Sequence, residues 1–136
     1  METLELRTPR REALVRLTPA LAELVAAKGW RDGAIVVFCP HTTAGLTVNE
    51  DADPDVASDM VAIMGRLVPR DPSYRHAEGN SDAHVKTTLV GPSLTLIVAG
   101  GRIQLGTWQG VFLCEWDGPR TRKIWVQWLG QTPVGA

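Results

Sequence analysis

The chain has 136 residues, 44% of them hydrophobic and 21% charged, with a formal net charge of −1. That size and balance fit a single globular domain with its own core and exclude a disordered chain. A nearly neutral charge offers no broad attraction to nucleic acid or an anionic membrane, so any anion must be held by a local pocket.

No apolar run approaches a membrane span, and Met1 leads into a charged, alternating segment rather than a signal peptide, so the cytoplasm is the expected address. ETLELRT and EALVRLT, separated by a turn at TPRRE, predict an N-terminal hairpin. At Leu17-Thr18-Pro19 the period changes: Thr18 can cap, Pro19 suits a first turn and Gly29 a stop, which predicts a helix over 19–28. GAIVVFCP is a continuous apolar run expected to be a strand buried on both faces, delivering His41 at its C-terminal end. AGLTVNE follows as a second strand.

Asp53-Pro54 starts a second helix, continued by Val56, Met60, Ile63, Met64 and Leu67, with the two methionines expected in the core. Residues 69–81 read as a long polar loop of the kind that often carries function. From Asp82 onward the chain reads as β in DAHVKTTLV, SLTLIVAG, RIQLGTWQGVFLCEW and KIWVQWLG, up to a tail at 131–136 expected to be mobile. An extended 82–88 segment would place Asp82, His84, Lys86 and Thr88 on one face. The whole is an α+β chain with two principal helices, read as one domain over 1–136.

Cys39 and Cys114 form no metal-ribbon spacing and sit in apolar runs, which predicts buried free thiols; a reactive or metal-binding Cys39, two residues before His41, is the alternative. The five tryptophans are read as packing residues, except Trp108 in the polar string GTWQG.

All three histidines lie in two stretches dense in reactive polar groups, CPHTTAGLTVNEDADPD and YRHAEGNSDAHVK. Imidazole titrates near neutrality and is the commonest metal ligand. His41, His76 and His84 are therefore the candidate catalytic groups and metal ligands. Their intervals of 35 and 8 residues match no metal motif, so a zinc site requires them to converge in the fold. The alternative is that they bind an anion or exchange protons without metal. Glu50 and Glu78 are candidates to orient an imidazole or take a proton. Asn80 is suited either to a turn or to holding substrate oxygen.

The segments HTTAGLTVNEDADPDV, RHAEGNSDAHVK, LGTWQG and CEWDGPR, in this order, resemble the YjbQ family, described as secondary thiamine-phosphate synthases. The resemblance implies a large, mainly antiparallel sheet system assembled as a homotrimer, with polar motifs near subunit boundaries. It implies a site at His41, His76 and His84, with Asn49, Glu50, Glu78, Asn80 and Asp82 as its acidic and amide positions. It adds Thr107, Trp108 and Gln109 from GTWQ.

The implied reaction joins hydroxymethylpyrimidine pyrophosphate to thiazole phosphate with loss of pyrophosphate. Developing phosphate charge then needs a cation and fixed N–H donors. Lys86, together with Thr42 and Thr43, is expected to supply them, with a divalent metal, zinc first or magnesium accompanying pyrophosphate. A metal-dependent hydrolase of a phosphorylated or acyl metabolite and a non-catalytic trimeric binder remain the alternatives; no nucleic-acid or membrane partner is expected.

Overall fold

The computed structural model describes residues 1–132. Eight strands and three helices follow in the order β1 (Glu2–Arg7), β2 (Ala13–Arg16), α1 (Thr18–Lys28), β3 (Gly33–Phe38), β4 (Ala44–Glu50), α2 (Pro54–Leu67), α3 (Ser81–Val90), β5 (Ser93–Ala99), β6 (Arg102–Ile103), β7 (Gln109–Glu115) and β8 (Thr121–Gly130). They build two antiparallel sheets, β1-β8-β3-β5-β6 and β2-β7-β4. The α+β class and the antiparallel sheets agree with the sequence. No helix among the described residues is long and apolar enough to cross a membrane.

The core lies between the sheets, where Ile35, Val37, Val98, Ile124 and Val126 of the larger sheet meet Leu46, Val111 and Leu113 of the smaller, with Leu21 and Val25 of α1 closing the side. The opposite face of the small sheet carries Cys114 and Trp116 against Ala83 of α3, with Met64 of α2 at the margin. Strand β7 is thus covered on both faces, which explains why its residues from Gly110 to Glu115 are all buried. Both cysteines are free and buried; burial pushes the Cys39 thiol up to about 11 and Cys114 to about 12, leaving neither as a reactive thiolate.

Five expectations are corrected. β1 and β2 do not form a hairpin: β1 pairs with β8 and β2 with β7, in different sheets. Thr8, at the corner between them, donates to Glu115 Oε1 at 2.7 Å and accepts from Arg120 N at 2.8 Å, so the chain turns from one sheet into the other. β3 is central in its sheet but covered only on its inner face, since Phe38 is exposed beside Trp125 in a 5.9 Å stack. Thr18 does not cap α1; its hydroxyl accepts from Val111 N at 2.8 Å, and Leu17 holds the cap position.

The fourth correction matters most for the site. DAHVKTTLV is helical rather than extended, with Asn80 as N-cap. Its four-residue period brings Asp82 and Lys86 together at 2.9 Å, buried over the small sheet, and turns His84 to another face. Helix α2 starts at Asp53-Pro54 as expected, with the Asp53 side chain accepting from Asp55 N at 2.9 Å. It lies on the surface with no buried residue, so Met60 and Met64 are only partly covered. The loop before α3 is present, and of the expected mobile tail, residues 133–136 lie outside the described residues.

Candidate functional site

The ends of three elements converge at one corner of the sandwich. The β3–β4 connection supplies His41, Thr42 and Thr43; the polar loop and first turn of α3 supply His76, Glu78, Asn80, Ser81 and His84; the start of β8 brings Arg120 and Arg122. These groups line a cavity of about 830 Å3. The two histidine-bearing stretches meet at this cavity. The rings of His76 and His84 face each other edge-on with centroids 5.8 Å apart, and His76 Nε2 lies 3.9 Å from Glu78 Oε2.

His41 is held differently. Its Nε2 accepts a hydrogen bond from the backbone N–H of Lys123 at 2.9 Å. Burial first, then the charge of Arg122, lowers its pKa from the ordinary histidine value, so the neutral ring predominates at neutral pH. A neutral imidazole accepting at Nε2 carries its proton at Nδ1. His41 is therefore a hydrogen-bond donor with its lone pair already engaged, which does not fit the third ligand of a three-imidazole zinc site. Among the described residues no group of three or more His, Cys, Asp or Glu side chains is arranged to hold a metal ion.

The two arginines are not among the site residues read from the sequence, where they fall between the strand-like runs RIQLGTWQGVFLCEW and KIWVQWLG. Arg122 is buried, donates Nε to Glu115 Oε1 at 2.9 Å and Nη2 to Glu115 Oε2, and clasps Thr43 through its hydroxyl at 2.9 Å. Arg120 donates Nε and Nη2 to the Asp117 carbonyl and carboxylate, at 2.6 and 3.0 Å. The signal available in the sequence was two arginines spaced by one residue after the turn, which a strand places on one face.

Lys86 and Asp82 do not reach the cavity. The Lys86 side chain is 1% exposed and its Nζ bonds Asp82 at 2.9 Å and Glu12 at 3.3 Å, while Arg11 holds the other side of Asp82 at 3.1 Å. The burial of Asp82 would raise its pKa, but donation and charge from Lys86 and Arg11 outweigh it and hold the carboxyl below its ordinary value. Thr43 braces Arg122 and the small sheet, with its carbonyl accepting from Trp116 N at 3.1 Å. Thr42 is exposed at the rim.

Asn49, Glu50, Thr107, Trp108 and Gln109 gather elsewhere. Glu50 pairs with Gln109 at the far end of β4, and the GTWQ turn is closed by Gly106 N donating to Gln109 Oε1 at 2.8 Å. A strand rise of ~3.3 Å per residue puts Glu50 roughly 20 Å from Ala44, beside the cavity. Within this chain, these five residues are not part of the histidine cavity.

A family model described as UPF0047 protein YjbQ-like matches residues 2–131. The chain belongs to this family. A UPF0047 protein of Methanocaldococcus jannaschii is 45% identical over 126 residues, covering 93% of this chain and 91% of that one. YugU of Bacillus subtilis is 43% identical, covering 96% and 99%. A solved YjbQ/UPF0047 structure from Clostridium acetobutylicum superposes with a TM-score of 0.91 at 43% identity, over 95% of this chain and all of that one. A conserved hypothetical protein from Thermus thermophilus gives 0.87 at 47% identity, with 95% and 100% coverage. Those descriptions give a family and a fold but no reaction, so the chemistry has to come from the cavity.

Proposed function

We propose that the cavity binds a phosphorylated small molecule and supports departure of its pyrophosphate, the thiamine-phosphate synthase-like reaction. The observation that carries this reading is the meeting of His41, His76 and His84 with Arg120 and Arg122 at the N-terminal end of α3. Guanidinium charge, the Nδ1–H of His41 and the positive end of the α3 dipole together favour an anion. In the reaction the C–O bond to pyrophosphate breaks with its electron pair going to oxygen, and the thiazole nitrogen donates the pair that forms the new C–N bond. The arginines and His41 offset the charge that builds on the leaving group, and His76 and His84 carry protons to it. No step is assigned to zinc.

Incubation with hydroxymethylpyrimidine pyrophosphate and thiazole phosphate should yield pyrophosphate and a C–N bonded product, and His84→Ala should lose turnover without losing the fold. Water incorporation instead would make the protein a hydrolase; saturable binding without turnover would make it a binder. Wild-type turnover in a folded His84→Ala protein would refute the site.

The proposal includes a homotrimer in the cytoplasm. Exposed Ile97 and Leu129 flank Ala34 across the outer face of the larger sheet, and Phe38 and Trp125 continue that apolar surface. Glu50, Trp108 and Gln109 would then reach a histidine cavity only from a neighbouring copy. Light scattering tests the assembly, and a stable monomer at micromolar concentration would refute it.

A further inference from the structure

We propose that the groove between the C-terminal end of α2 and helix α3 is the apolar half of the same site, taking a flat aromatic ring carried by the phosphorylated ligand. The inference rests on the anion-binding reading of the histidine cavity. That cavity shares two wall residues, Ser81 and Val85, with an adjoining depression of about 540 Å3. The far wall of the depression is apolar, formed by Leu67, Val68, Pro69 and Tyr74.

Tyr74 is what makes this a built surface. Its hydroxyl donates to the carbonyl of Pro69 at 3.1 Å, which satisfies its polar end and ties the ring across the loop, while the side chain stays 39% exposed. An aromatic ring fixed by its own hydroxyl offers a stacking face with little further ordering on binding. Leu67, 68% exposed, and Val85, 48% exposed, leave apolar area open on either side. Of the ionisable groups lining the groove, Asp82 is already paired with Arg11 and Lys86, and Arg75 adds one positive charge. Small-molecule sites combine apolar walls with a few convergent polar groups, and here the two kinds of wall meet at Ser81 and Val85. A bare phosphate would use only the histidine side; a ring attached to it has a place to lie.

The test titrates the full chain with inorganic phosphate and with phenyl phosphate in a calorimeter. Phenyl phosphate should bind about tenfold more tightly, the scale of one stacked ring with its buried area. Tyr74→Ala and the exposed Leu67→Ser should abolish that preference without changing the affinity for inorganic phosphate, and Tyr74→Phe, which keeps the ring but frees it from the Pro69 carbonyl, should retain only part of it. Failure of both ligands to bind would overturn the anion reading and the groove with it. Equal affinities, or a preference indifferent to Tyr74→Ala and Leu67→Ser, would overturn the groove alone. If those variants instead change the mass by light scattering and leave the preference intact, the groove is a contact between copies and this assignment is wrong.

Discussion

Lys86→Met separates a structural lysine from a substrate-binding one. The substitution keeps the length of the side chain over Trp116 but removes the charge that lies 2.9 Å from Asp82 and 3.3 Å from Glu12. Asp82 is 0% exposed and keeps only Arg11. Breaking a buried pair costs 3–5 kcal/mol, and the remaining arginine places this case at the low end, about 3 kcal/mol. For a chain of this length that lowers Tm by roughly 10 °C. Adding Asp82→Asn should recover part of the loss, because the double variant leaves no orphaned charge. The pH dependence has a sign. The depressed pKa of Asp82 contributes stability that is present above about pH 4, its unfolded value, and lost as pH falls through the folded one, so the gap between wild type and Lys86→Met narrows in acid. Melts across pH with phosphate titrations on the folded variant decide the matter. Unchanged stability with lost phosphate affinity would refute this reasoning and return Lys86 to the cavity.

Cys114→Ala should cost on the order of 1 kcal/mol in chemical denaturation and leave turnover nearly unchanged, because the thiol packs against Ala83 and Trp116 away from the cavity. Gly45→Ala should do both kinds of harm. A Cβ there would lie 2.7 Å from Gly91 O and 3.2 Å from Val90 Cγ1, so the C-terminal end of α3 must shift; we expect a loss of 1–3 kcal/mol by melting and weaker phosphate binding, since α3 carries His84. At pH 6.5, where an unperturbed imidazole is half protonated, His41 should be less than half protonated, as read from its ring resonances by NMR. As pH falls below that value the unfolded chain takes up a proton that folded His41 refuses, so His41 makes stability fall toward acid until its lowered folded pKa is passed.

The strands were legible wherever apolar β-branched runs were long, as in GAIVVF and QGVFLCE, because a sandwich core imposes that pattern directly. Helix α3 was not. Asp82, His84, Lys86 and Thr88 alternate with Ala83, Val85, Thr87 and Leu89, which mimics a half-buried strand, and Val85, Thr87 and Thr88 have branched side chains that weaken helix propensity. The helix is favoured by contacts remote in sequence: Ala83 against Trp116, and Asp82 and Lys86 against Arg11 and Glu12. Asn80-Ser81-Asp82 before the segment and Gly91-Pro92 after it were the local signals of a start and a stop. The site was half legible for the same reason. Polar density located His41, His76 and His84, but the assignment of Lys86 and Asp82 depended on the period, and Arg120 and Arg122 depended on pairing between β8 and its neighbours.

Helical geometry divides one short motif between two tasks. Around α3, Asn80, Ser81 and His84 face the cavity, while Asp82, Ala83 and Lys86 are buried. The halves are joined through Asp117, whose carboxylate accepts from Asn80 Nδ2 at 2.8 Å and Arg120 Nη2 at 3.0 Å, with Arg11 Nε 3.9 Å away. Burial would raise the Asp117 pKa, but donation from Asn80 and Arg120 and the nearby positive charges hold it below the ordinary carboxylate value. Arg11 approaches Asp117 and Asp82 at once, so the ion pairs beneath α3 and the cation at the cavity wall belong to one network. A charged side chain can wait in the wall for an anion without collapsing onto it only if a fixed partner holds it, and Asp117 does so for Arg120 as Glu115 does for Arg122. The buried charges need not touch a ligand to matter for binding. They determine where the two guanidinium groups stand before one arrives.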